Sequence, residues 1–513
     1  MFSLDSVGLV VFAIYMLILV VIGVVASRYQ STSEDFWVAG RRFGIGLMVI
    51  AEVASVLHGG SVQGGVSLAA RFGGVAILPF ISFAVASLII VRFFAKKLRM
   101  MAGFTLPDYM GARFESNFIR GYSALIVGIS SVLYMIAQIR VMGFLLEGLL
   151  GIPFIAGMAL GASIFIVFVT LGGLLAVVWT DIFLFALMWG GLIAILPAVH
   201  AAVGGLSEVL VHVDQLAPGW TSVRGTTWSW TYLISWWLVW VVGYSTRISM
   251  ITKVFAAKDT KVARISLPIT DALFMIFLLY GNLYLGAAAR VLVWPQVSNT
   301  PDQAFPALVT FVSQMAGTPW LGAIAITGVV SAAIATADSL LLMSGAAIAH
   351  DLLRKCYYEP RGIVKEERFY LRASRITIVI VGIVSFFCAI ATPDLILNIV
   401  SYAVALVGVA FFFPMLLGMS SPYISRRAAT WSSVAGSIVG MIWTVPHLVY
   451  AAWAREHAPW ILDIHPVVPG LIAAAIPMLT RLSYIEMSPV ALRTFFPERA
   501  TEPTTDANAR VNA

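Results

Sequence analysis

The sequence predicts an all-helical integral membrane protein with thirteen transmembrane helices, ten of them forming two inverted five-helix repeats. Three observations lead to this fold class. Hydrophobic residues make up 60% of the 513 residues and charged residues only 11%, a balance far from that of a soluble protein. Apolar runs of about 20 residues, long enough to cross the hydrocarbon of a bilayer, recur along the chain. Two of these runs are interrupted by glycine and polar residues.

The apolar runs define the predicted spans. They are centred near residues 16, 57, 84, 135, 162, 186, 239, 277, 334, 383, 406, 440 and 475. The first run, from about 6 to 27, is too long for the apolar core of a signal peptide, so we expect a retained helix. We therefore expect one membrane domain at 1–483, with core repeats at about 43–200 and 227–417. The polar tail at 484–513 is predicted to be disordered and cytoplasmic.

The distribution of basic residues predicts the orientation. Of the 32 Lys and Arg residues, 27 lie on one side of the predicted spans, four lie on the other, and Arg140 lies inside a span. The positive-inside rule then places the amino terminus in the periplasm and the carboxyl terminus in the cytoplasm of a bacterial inner membrane. Because topology explains the net charge of +7, we expect lipid and a small molecule as partners, no nucleic acid and no obligate protein partner.

The two interrupted spans are the second and the seventh. The second contains H-G-G-S-V-Q-G-G at 58–65, and the seventh contains W-V-V-G-Y-S-T-R at 240–247. Backbone carbonyls at such a break can coordinate an ion at mid-membrane, although small residues also serve helix packing. Each break opens a block of five predicted helices. Since five is odd, the second block is inverted relative to the first.

Several separated motifs resemble those of the sodium/solute symporter family, over nearly the whole chain. They are D-F-W-V-A-G-R-R at 35–42, F-T-L-P-D-Y at 104–109, G-G-L-L-A-V-V-W-T-D at 172–181, A-A-K-D at 256–259, P-D-Q-A at 301–304, A-A-I-A-T-A-D-S at 332–339 and S-G-A-A-I-A-H-D at 344–351. The resemblance lies in their order and spacing. It implies a leucine-transporter-like core with accessory helices.

The resemblance also implies a sodium site made of main-chain and hydroxyl oxygens, the hard ligands such a cation prefers. The matching residues are Ala54, Leu57, Ala332, Ala335 and Thr336. The family usually has serine where this chain has Ala335, so one hydroxyl ligand is missing, and a proton is the alternative coupling ion. A second cation or proton site is implied at Asp181, Asp338 and Ser339.

The expected substrate-binding residues surround the two breaks. They are His58, Gln63, Gln138, Arg140, Trp240 and Tyr244. Arg140 is a candidate because a charge at bilayer depth is costly unless it has a function, and a guanidinium binds a carboxylate bidentately. Its alternatives are an ion pair with Asp181 or Glu147, or snorkelling to the surface. The resemblance places Trp240 and Tyr244 at positions that line the substrate cavity.

These features predict a secondary active transporter rather than an enzyme, since the sequence has no Walker A, Gly-x-Ser-x-Gly or His-Glu-x-x-His motif. Segments 104–109 and 344–351 most resemble the acetate and monocarboxylate permeases. We therefore expect cation-coupled symport, with sodium first, of a monocarboxylate or other organic anion. Alternatives are sodium- or proton-coupled uptake of an amino acid, a pantothenate-like compound or a sugar, a membrane sensor, and a passive channel.

Overall fold

The computed structural model describes residues 4–27, 43–74, 78–101, 103–222, 224–392, 394–480 and 487–497. Every named element in these residues is a helix, and the one extended pairing is an isolated bridge between Phe43 and Ala257. The predicted all-helical class is therefore confirmed. The motif at 35–42 lies outside the described residues.

The described residues of the first half of the chain form nine α-helices. They are α1 (Asp5–Ser27), α2 (Ile45–Val56), α3 (Gly59–Phe72), α4 (Leu78–Ile89), α5 (Ala95–Met101), α6 (Leu106–Phe114), α7 (Asn117–Leu150), α8 (Phe154–Val203) and α9 (Leu206–Leu216). A wider π-helical stretch, Ile90–Phe94, joins α4 to α5.

The second half contains the remaining helices. They are α10 (Trp230–Ser245), α11 (Ile248–Ala256), α12 (Thr260–Phe277), α13 (Leu285–Leu292), α14 (Trp294–Val297), α15 (Ala304–Met315), α16 (Pro319–Ala346), α17 (Glu367–Ala391), α18 (Ile396–Ser420), α19 (Arg426–Leu448), α20 (Ala451–His457), α21 (Pro459–Leu462), α22 (Val467–Thr480) and α23 (Pro489–Phe495). π-Helical stretches at Leu278–Tyr284 and Ala347–Tyr358 extend α12 and α16, and short 3-10 turns form at Pro301–Gln303 and Glu359–Arg361.

Many of these helices are long and apolar enough to cross a membrane. Seven described helices meet that condition, and eight do when the bent pair α2 and α3 counts as one span. Twelve of the thirteen predicted centres lie inside a helix, and residue 57 lies at the bend. The chain is thus a multi-pass membrane protein, while the count of thirteen spans stays a prediction.

The first predicted break separates α2 from α3, whose axes differ by 48°. Leu57 leaves the helical conformation and His58 is extended. His58 then caps α3, because its Nδ1 accepts from the Ser61 N–H at 3.1 Å and its own N–H donates to Ser61 Oγ at 3.0 Å. This reciprocal pair satisfies two donors that a helix start leaves open.

The second predicted break separates α10 from α11 at Thr246 and Arg247. A close backbone approach fixes the end of α10 against α18: a Cβ atom added to Gly243 would overlap the side chain and carbonyl of Val404, and one added to Gly408 would lie 3.1 Å from the Gly243 nitrogen. Only glycine allows this approach. The seventh span is therefore broken at a point that α18 holds in place.

A short helix forms at the start of the predicted tail. Helix α23 packs on the predicted inner side, where the Phe495 ring lies 5.8 Å from that of Tyr109, and Lys97 Nζ lies 3.7 Å from the Phe496 ring centroid. Phe495 and Phe496 are buried. Two buried aromatic side chains thus attach the segment 487–497 to the helix bundle. Residues 498–513 lie outside the described residues, and the disordered tail stays a prediction.

Candidate functional site

The two helix breaks meet at Tyr134 of α7. Arg247, in the second break, donates from Nη2 to the Ser55 carbonyl at 2.5 Å and to the Tyr134 hydroxyl at 2.9 Å. The His58 ring, in the first break, lies 5.4 Å from the Tyr134 ring in an edge-on arrangement. All four residues are buried. Three elements that are far apart in sequence therefore form one polar centre inside the helix bundle.

Gln138 lies one turn along α7 from Tyr134 and faces the first break. Its side chain is fully buried, and neither its Oε1 nor its Nε2 has a hydrogen-bond partner among the described residues. A Cβ atom on Gly59 would lie 3.3 Å from Gln138 Oε1, so glycine is what leaves space beside this amide. A buried amide without partners is costly, and a bound ligand would supply them.

Gln63 lies further along α3 and is held by a different contact. Its Nε2 donates to the Asp302 carbonyl at 2.7 Å, while its Oε1 has no partner in the described part of the chain. The Asp302 carboxylate in turn accepts from the Ile396 N–H at 3.1 Å. Gln63 thus joins α3 to the starts of α15 and α18, and one of its polar atoms is open.

Trp240 and Tyr244 form part of an aromatic cluster that encloses the second break. The Phe83 ring stacks on Tyr244 at 4.3 Å and on Phe274 at 5.0 Å, and it meets Trp240 edge-on at 5.6 Å. Such pairs stabilise packing beyond the area they bury. The cluster joins α4, α10 and α12, so a movement of the Tyr244 ring requires these three helices to repack.

Arg140 is not brought together with the other predicted substrate-binding residues. Its Nη1 donates to the Ala389 carbonyl at the end of α17, at 3.3 Å, and its guanidinium lies 5.5 Å from the Phe154 ring and 6.0 Å from the Phe144 ring. Because successive helix residues are separated by 100°, Arg140 points to a different side of α7 from Gln138. It faces α8 and α17 instead of the breaks.

The predicted sodium ligands lie on two elements that pack together, the end of α2 and the middle of α16. Ala54 and Leu57 lie where helix carbonyls lack partners within the helix. The Thr336 hydroxyl is buried without a described partner, whereas the Ala335 carbonyl accepts from Ser339 Oγ at 3.2 Å. Ala332 is also buried. Thr336 is the hydroxyl most available to a cation here.

The second predicted cation site contains a lysine that the sequence analysis did not assign to it. Lys253 of α11 lies 3.9 Å from Asp181 Oδ2, and its Nζ donates to the Ala51 carbonyl and to Ser55 Oγ. Asp338 is fully buried, and its carboxylate has no hydrogen-bond partner among the described residues. The charges of Asp181 and Asp338 act on each other.

Sequence reasoning missed the roles of Arg247 and Lys253 because both follow an apolar run closely and were counted with the basic loops of the inner side. Glu52 of α2 is also buried, and its carboxylate accepts hydrogen bonds from Ser266 Oγ at 3.0 Å and from Thr270 Oγ1 at 2.9 Å. The available signal was the position of Arg247 within the break at 246–247, where a side chain can point into the site.

A cavity of about 500 Å³ opens between the ends of α3, α10, α18 and α19. Its charged lining residues are Arg71, Asp394, Arg455 and Asp463. Aromatic rings of Tyr232 and Tyr402 complete the wall. On the predicted orientation this cavity faces outward, above the first break.

The fold matches those of solved membrane transporters. One is a Na+-coupled sialic acid symporter in a substrate-bound outward-open state, with a TM-score of 0.73, 20% identity, and coverage of 95% of this chain and 100% of that one. Another is MhsT in complex with L-phenylalanine, with a TM-score of 0.51, 13% identity, and coverage of 85% and 98%. The fold is thus that of the leucine-transporter class, as the sequence predicted.

The sequence identifies the family within that class. The profile of the sodium:solute symporter family matches residues 36–436, and this chain belongs to that family. A sodium/proline symporter of Salmonella typhimurium is 24% identical over 474 residues, which cover 90% of each chain. The resemblance inferred from the motifs is confirmed.

Proposed function

We propose that this protein is a secondary active symporter that couples a cation gradient, sodium first, to uptake of a small organic anion such as a monocarboxylate. The observation that supports the proposal most is the meeting of the two helix breaks at a buried polar centre, where Arg247 of one break contacts Ser55 beside the other. Broken helices at mid-membrane form the sites of alternating-access carriers.

The charge balance beside the first break supports cation coupling. Glu52, Asp181 and Asp338 would contribute three negative charges. Arg247 and Lys253 would contribute two positive charges, and all five side chains are buried. A net negative charge inside the membrane is costly, so one sodium ion or one proton restores neutrality. Thr336 and the open carbonyls at the end of α2 offer oxygen ligands that suit sodium. Asp338 suits either ion.

A shared structural element explains how cation and solute would be coupled. The predicted cation ligands Ala54 and Leu57 lie in and directly after the last turn of α2. Ser55 of the same turn contacts both Arg247 and Lys253. A cation bound here would fix the same turn that positions the substrate centre. Each ligand then favours the state that binds the other, which is a reciprocal coupling.

Amino-acid uptake is the second candidate, and the related sodium/proline symporter favours it. An amino acid would need an acceptor for its ammonium group as well as a cation for its carboxylate. Gln138 Oε1 has no described partner and could accept that hydrogen bond. A monocarboxylate needs no such acceptor, so the two classes make different demands on Gln138.

Uptake into proteoliposomes tests the proposal. We would offer labelled acetate, pyruvate, L-proline, pantothenate and glucose while imposing inward sodium and proton gradients separately. Accumulation of a monocarboxylate above equilibrium with a gradient would support the proposal, and the gradient that drives it identifies the ion. Uptake that persists after both gradients are collapsed would indicate a channel. Selective accumulation of L-proline would show that the substrate is an amino acid and not an organic anion.

A further inference from the structure

We propose that Arg247, and not Arg140, binds the carboxylate of the transported solute. This inference rests on the proposed function, since it requires that the chain transports a small organic solute. Arg247 is then the specificity-determining residue of the second helix break, and the group that it recognises is a carboxylate.

Arg247 is a buried cation without a counter-charge. Only 6% of it is exposed, and no carboxylate among the described residues lies within 4.0 Å of its guanidinium. The neighbouring Lys253 differs in this respect, because Asp181 lies 3.9 Å away. A buried charge that lacks a partner is destabilising by several kcal/mol unless something compensates.

The present contacts of Arg247 offset the cost of burying its charge only in part. Nη2 donates to the Ser55 carbonyl and to the Tyr134 hydroxyl, and both acceptors are neutral. Nε is buried and donates to no group in the described part of the chain. A carboxylate oxygen at Nε would supply the missing acceptor together with the missing charge, and charge-assisted hydrogen bonds of this kind are the strong ones.

The surroundings of Arg247 favour a small solute. Tyr134 packs against both the guanidinium, whose carbon lies 5.4 Å from the ring centroid, and the His58 ring. Gln138 is one helical turn further along α7, with its amide unpaired and Gly59 facing it. The site thus offers one cation, one amide and aromatic walls. This set recognises a compact carboxylate and discriminates against its uncharged amide.

Arg140 provides a matched comparison on the same bundle. It is also a partly buried arginine, but it donates to Ala389 and packs against Phe154. Its Nε is buried without a partner in the described part of the chain, as is that of Arg247, but the charges of Asp302 and Asp394 act on it. Arg140 differs from Arg247 in position, because it faces α8 and α17 instead of the two helix breaks.

The experiment compares Arg247→Gln, Arg247→Lys and Arg140→Gln with the wild-type protein in proteoliposomes. The probes are labelled acetate, pyruvate and L-proline, and the competitors are each carboxylate and its primary amide. We expect Arg247→Gln to raise the half-saturating concentration of the transported carboxylate about 10- to 100-fold, as for loss of a hydrogen bond to a charged group. Arg247→Lys should recover part of the affinity, and Arg140→Gln should change it less than threefold.

Several outcomes would overturn the inference. An unchanged half-saturating concentration in Arg247→Gln would do so, as would a large increase confined to Arg140→Gln. If Arg247→Gln does not fold, the competition experiment with the wild-type protein tests the inference instead. A primary amide that inhibits uptake as strongly as the corresponding carboxylate would contradict recognition of the carboxylate by a cation. If the wild-type protein accumulates glucose alone in the wider uptake panel described above, this inference is rejected but the symporter is kept. No gradient-driven uptake of any solute would reject the proposed function itself, and the inference with it.

Discussion

The Lys253 ammonium lies 3.9 Å from Asp181 Oδ2 and also donates to the carbonyl of Ala51. One side chain of α11 therefore joins α8 to the last turns of α2. The pair leaves Asp338 on α16 as a buried carboxylate that no described donor contacts. Because a carboxylate at this depth is costly when charged and alone, Asp338 is the group that a coupling cation would neutralise.

Replacing Asp338 with asparagine should therefore weaken cation coupling. We expect the concentration of the driving cation at half-maximal uptake to rise at least about tenfold, because one charge-assisted interaction is lost. The measurement is initial uptake at varied sodium concentration, or at varied pH if protons drive transport. Ser344→Ala on the same helix is the control, since its hydroxyl bonds the Leu341 carbonyl and belongs to neither predicted cation site. An unaltered cation response in Asp338→Asn would exclude Asp338 from coupling.

Position 335 allows a gain-of-function test of the sodium site. Ala335→Ser restores a hydroxyl beside Thr336, and one added oxygen ligand should lower the half-maximal sodium concentration about 2- to 10-fold. Thr336→Val removes the buried hydroxyl that lacks a partner and should act in the opposite direction. Both are measured as sodium-dependent initial uptake. If neither variant alters the sodium response, the cation is bound elsewhere.

Gly243 should tolerate no side chain. An alanine Cβ there would lie 2.8 Å from the Val404 carbonyl, so α10 and α18 must separate and the second break must shift. We expect Gly243→Ala to reduce initial uptake more than tenfold, with lower thermal stability in detergent. Gly128→Ala on α7 is the control, since its Cβ would have no neighbour within 4 Å. Full activity in Gly243→Ala would mean that α10 and α18 can separate at Val404 without loss of transport.

Sequence alone predicted much of the architecture for simple physical reasons. Apolar length and glycine-rich interruptions are local signals, so the spans and both breaks could be located from the residues. The bend at 57–58 and the break at 246–247 lie within the predicted segments. Inverted repetition followed from counting the helices between them.

The arrangement of side chains could not be predicted in the same way. Arg140 and Arg247 are both arginines near apolar runs, and only the rotation of α7 determines that Arg140 faces Ala389. The contact of Lys253 with Asp181 joins positions that are 72 residues apart, so it depends on tertiary packing. His58 illustrates a third case, because its capping bond with Ser61 is local and its contact with Tyr134 is not.

A charged cluster on the predicted inner side involves two motifs that the transport site does not use. Asp108 of α6 lies 3.3 Å from His350 Nε2 and 3.4 Å from Arg120 Nη2. Asp351, next to His350, accepts from Thr105 Oγ1 at 2.7 Å. The cluster ties the segment 104–109 to the inner end of α16, which is the side that an inward-facing state must open.

The pKa of Asp108 leads to a prediction of pH dependence. Burial would raise this pKa, but the hydrogen bond with His350 and the charges of His350 and Arg120 outweigh burial and hold it below its usual value. The ionised carboxylate therefore stabilises the folded state above the unfolded pKa of about 3.9, and this contribution is lost as pH falls through the lower folded pKa.

Asp108→Asn should therefore lower the thermal unfolding temperature in detergent at pH 7 and at pH 5 alike. The loss corresponds to about 1–3 kcal/mol, as for a buried hydrogen bond to a charged group. Below about pH 4 the difference from wild type should narrow, since the carboxylate of the unfolded chain is protonated there and that of the folded protein follows as pH falls through its lower pKa. Glu456→Gln is the control, because that carboxylate is largely exposed. A difference that stays constant down to pH 3 would show that Asp108 acts through packing and not through its charge.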